Sequence, residues 1–403
     1  MGGDSKRPEK AEPAALAARV VSLDAFRGFT IAAMLLVNNP GSWSHLYGPL
    51  AHAPWHGWTF TDWVFPFFVF ISGMAMPISL DRRAHAGHDR VRLLLQTWRR
   101  AQMLVLIGLA LNAIPHFNWA ELRWPGVLQR LGLVTMLAAP IVLWWGWRGR
   151  LGWALGLMAV YAAVMLWVPV PGADGVVRAG SLQPGQDVGA WLDRFLFDGH
   201  LWKQSRTWDP EGLLSTLPAV SSLLLGVLAG QWLFGAGTFQ ARHARMPLSE
   251  ADRVLALMVV GLLCLWIGEI LHAWLMPINK NLWTPAYVFS TTGWALLIMG
   301  SFHWLLDAAP LPRLRARCAQ WAQPLVVFGV NALFLFVLSG LIAKALAFIK
   351  PDGQQSLKAW VYGWMQQLGL SPVNTSLLYA LVFLTMMWGV AWLLWRKRWF
   401  IRV

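Results

Sequence analysis

Long apolar stretches separated by short polar segments follow one another along this chain of 403 residues. A helix needs about 20 consecutive, mostly apolar residues to cross the hydrocarbon core of a bilayer, and stretches of that length recur to the end of the chain. The pattern therefore predicts an all-α, polytopic bundle of about ten transmembrane helices. The predicted spans lie near residues 24–40, 59–80, 99–116, 124–146, 151–169, 213–234, 254–275, 286–306, 323–349 and 373–395.

The first residues break this pattern. Residues 1–20 are polar and charged, and we expect them to form a disordered cytoplasmic tail. They contain no short apolar core followed by a small-residue cleavage site, so a cleaved signal peptide is not expected. Residues 21–403 are predicted to form a single transmembrane domain, and the function is expected to lie in the spans and their short loops.

Composition and charge agree with a membrane protein. Hydrophobic residues make up 57% of the chain and charged residues 13%, a balance that a soluble protein of this size could hardly keep in solution. A net charge of +14 could suggest nucleic acid as a partner, but the basic residues gather in short loops at span ends, where the positive-inside rule explains them. The rule predicts that both termini are cytoplasmic. The loops around His52, 170–212, 276–285 and 350–372 then face outward.

The segment from His52 to Ser79 contains the clearest candidate chemistry. His52 and Asp62 are ten residues apart, which on one continuous helix would separate them by about 15 Å. Pro54 and Gly57 favour a break between them, so that His52 can fold back onto a helix that opens near Thr59 to Asp62. An Asp in the first turn of a helix is also favoured by capping and by the helix dipole alone. For Asp62 considered by itself, this structural interpretation is the stronger one.

Other polar residues within or beside the spans are candidates because burying polar groups in a membrane is costly. Asn38 ends the first span and could either cap the helix or point its amide at a ligand. Arg130, early in the fourth span, could snorkel to the interface or line a cavity, and the cavity is slightly favoured. Two outward loops carry further polar and aromatic groups that could bind a substrate, although Asp209 and Glu211 also suit a helix N-terminus. These loop candidates are Asp209, Glu211, Asn279, Lys280, Asn281 and Trp283.

We predict no metal site and no disulfide. His85, His88 and Asp89 share a loop but lack the spacing of metal ligands. Cys264 falls in a predicted span and Cys318 in a predicted cytoplasmic loop, so the two thiols are not expected to pair.

Several blocks of the sequence, in order, resemble one family. They are RVVSLDAFRG (19–28) with its continuation to Gly73, LRWPGVLQRLG (122–132), DPEGLLSTLP (209–218) and PINKNLWT (277–284), with GVNAL (329–333) as a weaker fifth. Together they resemble the heparan-α-glucosaminide N-acetyltransferase family of membrane acetyltransferases and its bacterial relatives.

The resemblance implies a function. It implies transfer of an acetyl group from cytoplasmic acetyl-CoA to the amine of a terminal glucosamine on the far side of the membrane, with His52 catalytic. Asp62 and Asn38 match two further positions of the family. It also implies a homodimer and, for a bacterial relative, a protein of the inner membrane whose acceptor is a free amino sugar or an envelope glycan.

The chemistry of acetyl transfer agrees with roles for His52, Asp62 and Asn38. A histidine titrates near neutral pH and can take the proton of an amine, Asp62 would orient its ring, and Asn38 could donate to the oxyanion of the attacked thioester. The phosphates of CoA would meet arginines predicted at the cytoplasmic mouth. These are Arg82, Arg83, Arg99 and Arg100, with Arg130 as a further candidate.

Two other functions compete with this prediction. An O-acetyltransferase of an envelope polysaccharide would use His52 to deprotonate a hydroxyl group. A small-molecule transporter would instead use Glu269, His272 and Arg130 as a gating or proton path, but the sequence shows neither a clear inverted repeat nor paired broken helices. A purely structural membrane subunit fits least well, because polar groups gather away from the span ends.

Overall fold

The structure is a computed structural model, and it describes residues 20–234, 248–351 and 353–401. Helices form nearly all of the regular structure. In chain order they are α1 (Val21–Asn38), α2 (Phe60–Met76), α3 (Arg82–His85), α4 (Arg90–Ala113), α5 (Val127–Trp144), α6 (Trp147–Trp167), α7 (Val188–Phe197), α8 (Thr216–Phe234), α9 (Glu250–Trp274), α10 (Pro285–His303), α11 (Pro312–Val330), α12 (Ala332–Phe348), α13 (Leu357–Gln366) and α14 (Pro372–Arg396). The only described strands, β1 (Val170–Pro171) and β2 (Val177–Arg178), form a two-stranded antiparallel ribbon.

The predicted fold class, an all-α polytopic bundle, is confirmed. Seven of the described helices are long and apolar enough to cross a membrane, or eight if the bent pair α11 and α12 counts as one span. Two further predicted spans, 99–116 and 286–306, fall on α4 and α10, which are not among those seven. The number of ten spans and the side of the membrane on which the termini lie therefore stay predictions.

One predicted span is wrong as a single helix. The stretch 323–349 is divided at Asn331, and the axes of α11 and α12 differ by 69°. Asn331 has φ −117° and ψ 33°, which does not continue the helix. Its buried side chain donates to the carbonyl of Trp399 at 3.1 Å and accepts from the amide of Ile401 at 2.9 Å. The break thus supplies hydrogen-bonding groups to the C-terminal segment.

Both ends of the described chain lie at one end of the bundle. The amide of Ser22 donates to Asp307 at 3.1 Å, and Asn331 binds the C-terminal segment. Gly329, two residues before Asn331, approaches the backbone of Asp24 closely. The His52 loop follows the opposite end of α1, so it lies across the bundle from both chain ends. We refer to these two faces as the terminal face and the His52 face.

A buried ion pair holds the end of α2 that lies at the terminal face. After α2 the chain makes a π-helical turn over Pro77–Asp81, and Asp81 accepts from both terminal nitrogens of Arg150 at 3.0 and 3.2 Å. Gln231 of α8 donates to the same carboxylate at 3.0 Å. These contacts join α2 to α6 and α8 at this end.

Close backbone packing joins α1 to α11. A Cβ atom added at Gly28 would lie 1.7 Å from the carbonyl oxygen of Leu325, and one added at Gly329 would lie 1.9 Å from that of Asp24. Small residues permit this approach, as they do at many transmembrane helix contacts. The two helices can pack this way only because both positions lack a side chain.

We predict that Gly28→Ala destabilises the protein by about 1–3 kcal/mol or more, because the new methyl group overlaps backbone that cannot move freely. Thermal unfolding of the purified protein in detergent, followed by tryptophan fluorescence, measures the effect. Gly389→Ala in α14 is the matched control, since a Cβ atom there meets nothing within 4 Å. Equal unfolding midpoints for the two variants would contradict this packing.

Candidate active site

The turn that follows His52 depends on Gly57. Its φ is +96°, in the left-handed region that glycine tolerates better than other residues. Its amide donates to the carbonyl of Ile278 at 2.8 Å, which ties the turn to the loop between α9 and α10. The chain therefore reverses before α2 begins, as the Pro54 and Gly57 positions predict.

The reversal brings His52 onto Asp62. Nδ1 of His52 lies 2.7 Å from Oδ1 of Asp62, so the predicted contact is confirmed. The other carboxylate oxygen accepts from the amides of Ala53 at 3.0 Å and Thr59 at 2.9 Å. Asp62 therefore caps its own helix and also contacts the histidine, so one carboxylate makes both sets of contacts. Its catalytic role stays a prediction.

Asp62 is buried, whereas His52 is accessible to solvent. The side chain of Asp62 is 2% exposed, whereas that of His52 is 47% exposed. The hydroxyl of Tyr287 in α10 donates a hydrogen bond to the backbone carbonyl of Asp62, which ties the first turn of α2 to α10. Because the carboxylate engages Nδ1 and favours a hydrogen there, Nε2 is the ring nitrogen left to accept a proton.

Lys280 completes the cluster. Its Nζ lies 3.2 Å from Nδ1 and 3.3 Å from Nε2 of His52, and 3.9 Å from Oδ1 of Asp62. Burial lowers the pKa of the Lys280 ammonium, although the carboxylates of Asp62 and Glu211 oppose the shift. The sequence predicts Lys280 as a substrate ligand, and the structure places it in contact with the histidine.

Asp209 and Glu211 bind an arginine of the protein itself. Nε and Nη2 of Arg123 contact the two oxygens of Asp209 at 2.8 and 2.5 Å, and Nη2 also contacts Glu211 at 2.5 Å. Burial raises the pKa of Asp209, whereas the positive charge of Arg123 holds that of the buried Glu211 below its usual value. The structure thus shows a structural partner for the two carboxylates predicted to bind substrate.

Sequence reasoning missed Arg123. It stands in the block LRWPG, in a loop predicted to face outward, where the positive-inside rule makes an arginine less common. Its unusual position was the one feature of the sequence that could have marked Arg123 as a site residue. The identity of its partners, 86 and 88 residues away, could not be read from spacing.

Arg130 and Trp283 are buried together. Nη2 of Arg130 donates to the carbonyl of Gly212 at 2.7 Å and to Ser215 at 2.5 Å, and the guanidinium lies 5.2 Å from the centre of the Trp283 ring. These contacts lie toward the His52 face, so a phosphate-binding role for Arg130 at the terminal face is not supported. Trp283 is fully buried, which leaves no ring surface for the substrate contact predicted from its place in an outward loop.

The remaining predicted ligands fall in different places. Asn279 is fully buried, and its side chain accepts from the amide of Leu282 at 3.0 Å, so it shapes the Lys280 loop. Asn281 lines a chamber beside that loop. Asn38 ends α1 and is exposed, while the neighbouring Asn39 is the buried one and donates to the carbonyl of Leu35 at 2.9 Å.

The chamber near the His52 loop combines aromatic walls with carboxylates. Its empty volume, with the open solvent at its mouth included, is about 290 Å³, and its lining includes Trp55, Trp208, Asp187, Asp193, Asp209 and Asn281. Burial raises the pKa of Asp187 to about 6 and that of Asp193 to about 7. Oδ2 of Asp187 is buried without a hydrogen-bond partner among the described residues. These features suit a cationic ligand with a flat or ring-shaped body.

A second cleft opens beside α2 on the terminal side. It lies between α2, α4 and α5 and has an empty volume of about 690 Å³, including its open mouth. Arg83 and Arg100 line it, together with Ser72, Thr97 and Thr135. Arg82 and Arg99 are exposed and are not part of this lining. Two of the four predicted phosphate-binding arginines therefore share one cleft.

Comparison with known proteins decides the family. The profile described as "Heparan-alpha-glucosaminide N-acetyltransferase, catalytic" matches residues 19–267, which is more than half of the chain. The chain belongs to this family. It is 28% identical over 367 residues to human heparan-alpha-glucosaminide N-acetyltransferase and 26% identical over 369 residues to the mouse protein, covering 80% and 79% of this chain.

The match covers part of each relative and some of the candidate site residues. The chain spans about half of the length of these relatives, since 53% of each is covered. His52, Asp62, Arg123 and Asp209 lie within the matched residues 19–267, whereas Lys280 lies beyond them. Among the described residues, no group of three or more His, Cys, Asp or Glu side chains could hold a metal ion.

We predict that Arg123→Ala destabilises the protein by about 3–5 kcal/mol, because it leaves two buried carboxylates without their counter-charge. The change is measured as a lower thermal midpoint in detergent. Lys203→Ala is the control. Lys203 also forms an outward ion pair, with Glu121 at 2.9 Å, but both side chains are more than half exposed, so little change is expected. A midpoint for Arg123→Ala as high as that of the control would show that the cluster is dispensable.

Proposed function

We propose that this protein is a transmembrane N-acetyltransferase that moves an acetyl group from acetyl-CoA to the amine of glucosamine or a related amino sugar on the opposite side of the membrane. The observation that carries the proposal is the 2.7 Å contact of His52 with Asp62 at the start of a membrane helix. Membership of the acetyltransferase family supports the reaction class.

His52 acts as the general base in this proposal. The attacking amine must lose a proton as its nitrogen bonds to the acetyl carbon, and a histidine is the side chain suited to accept that proton near neutral pH. Asp62 holds the hydrogen on Nδ1 and stabilises the imidazolium that forms. Nε2 then receives the proton of the amine.

The donor is proposed to enter from the terminal face, predicted to be cytoplasmic. Arg83 and Arg100 would meet the phosphates of CoA, since guanidinium groups bind phosphate oxygens in pairs. The cleft continues along α2 as far as Ser72, ten residues or about 15 Å of helix from Asp62. The pantetheine arm would lie along this helix, with the thioester toward His52.

Arg130 is proposed to meet the acetyl end of the donor instead of its phosphates. Its Nε and Nη1 are buried and have no hydrogen-bond partner among the described residues. Buried N–H donors that lack partners are costly, and a carbonyl that becomes an oxyanion would satisfy them. Asn38, the other candidate for this role, is exposed at the end of α1.

The acceptor is proposed to bind at the open mouth of the chamber beside the Lys280 loop. Trp55 and Trp208 offer ring surface, and Asp187 and Asp193 offer carboxylates. A protonated amino sugar is both ring-shaped and cationic, so it can form an ion pair with these carboxylates. A sugar that carries only hydroxyl groups can donate hydrogen bonds to them but forms no ion pair. This observation favours N-acetylation over O-acetylation. We further propose a homodimer in a bacterial inner membrane, as the family resemblance implies.

We predict that His52→Ala lowers turnover by about 10²–10⁴-fold, the usual contribution of a general base. The measurement is formation of N-acetylglucosamine from acetyl-CoA and glucosamine by the protein in nanodiscs. His45→Ala is the matched control, because His45 is an exposed histidine of the same loop. A near wild-type rate for His52→Ala would refute the base assignment. Release of CoA without an acetylated amine would favour a hydroxyl acceptor, and no use of acetyl-CoA would favour a transporter.

We predict that Arg100→Ala raises the KM for acetyl-CoA about 10- to 100-fold while changing kcat little, since one charged contact to a bound phosphate contributes on the order of 1.5–3 kcal/mol. Arg92→Ala is the control, because Arg92 is exposed on the same helix and outside the lining of the cleft. An unchanged KM for Arg100→Ala, or an equal rise in both variants, would exclude this cleft as the donor site.

A further inference from the structure

The amine of Lys280 lies against the imidazole of His52, the proposed general base. Its Nζ lies within 3.2–3.3 Å of both ring nitrogens of His52. A nitrogen nearly equidistant from both lies over the imidazole and not along one lone pair. A general base must be within hydrogen-bond reach of the proton that it removes. The amine of Lys280 already lies at that distance from Nε2, and a rotation of the flexible lysine side chain would bring its hydrogen into line with the lone pair of that nitrogen.

The surroundings of Lys280 favour a reactive amine. Its side chain is only 18% exposed, and burial lowers the pKa of its ammonium, a shift that the charge of Arg130 supports. The nearby carboxylates of Asp62 and Glu211 act in the opposite direction. A lysine with a lowered pKa carries more of the neutral, nucleophilic form at neutral pH.

We propose that Lys280 is itself an acetyl acceptor, and that the protein acetylates this side chain when acetyl-CoA is present and no amino sugar occupies the site. The proposal rests on the proposed function, because it uses the same donor and the same base. Lys280 is then a modification site within the active centre.

The reaction balances without any further reagent. The neutral amine of Lys280 attacks the acetyl carbon, and a C–N bond forms as the C–S bond of the thioester breaks. His52 takes the proton that the amine loses and returns a proton to the departing CoA thiolate. The products are Nζ-acetyllysine and CoA.

The modification would switch the site off. An acetylated Lys280 has lost its positive charge, so its ion pair with Asp62 is lost. The added acetyl group would lie against the face of His52 and cover the nitrogen that must receive a proton from the sugar. A bound amino sugar would prevent this by displacing Lys280 and taking the acetyl group first.

The test compares two lysines in the full-length protein in nanodiscs. The protein is incubated with deuterated acetyl-CoA without a sugar, and labelled acetyl groups are quantified by mass spectrometry on peptides that contain Lys280 or Lys203. Lys203 is the internal control, because its side chain is 73% exposed and reports uncatalysed acetylation from solution. We expect label on Lys280 at least tenfold faster than on Lys203, and excess glucosamine should suppress it.

Two further measurements separate catalysis from simple reactivity. His52→Ala should abolish the excess labelling of Lys280 while leaving that of Lys203 unchanged. In the wild type, glucosamine acetylation after preincubation with acetyl-CoA should fall in step with the occupancy of acetyl-Lys280.

Four results would overturn the proposal. Equal labelling of the two lysines, or labelling of Lys280 that His52→Ala does not change, would mean that the active centre does not drive the modification. Sugar acetylation without label on Lys280 would refute self-acetylation and leave the proposed function intact. If neither the sugar nor Lys280 were acetylated, the proposed function would fail together with this inference.

Discussion

The carboxylate of Asp62 is the interaction on which the site depends. One oxygen binds the ring of His52 and the other caps the start of α2 through the amides of Ala53 and Thr59. A buried carboxylate is stable only when its oxygens have partners, and here every hydrogen-bond partner comes from the same short turn. One carboxylate therefore sets both the start of the helix and the position of the histidine. The contact between His52 and Asp62 forms when α2 folds together with the turn that precedes it.

Around that group, charges are buried in compensating sets. Arg123 pairs with Asp209 and Glu211, and Lys280 lies beside Asp62. These residues come from three separate connections between helices and from the first turn of α2, and the charge contacts hold them against one another. This arrangement explains why the His52 face contains so many polar side chains that are not exposed. It also leaves His52, Lys280 and the aromatic chamber as the groups that remain accessible to a ligand.

The sequence predicts those features that depend on local pattern. Apolar stretch length predicts the helices, and the Pro54 and Gly57 positions predict the return of His52 to Asp62. Features that depend on distant contacts are beyond such reasoning. The partner of Arg123 and the burial of Trp283 come from packing between helices far apart in the chain, and the loop pattern alone wrongly suggested that Trp283 is accessible. Asn331 breaks a continuous apolar stretch because it binds the C-terminal segment, which no periodicity reveals.

The central claim is that the acetyl group crosses the membrane between a donor site on one face and His52 on the other. Vesicles that contain the reconstituted protein and enclosed glucosamine, with labelled acetyl-CoA supplied only outside, test it most directly. The account predicts labelled N-acetylglucosamine inside intact vesicles. Product that forms only when acetyl-CoA and glucosamine share the same compartment would contradict it.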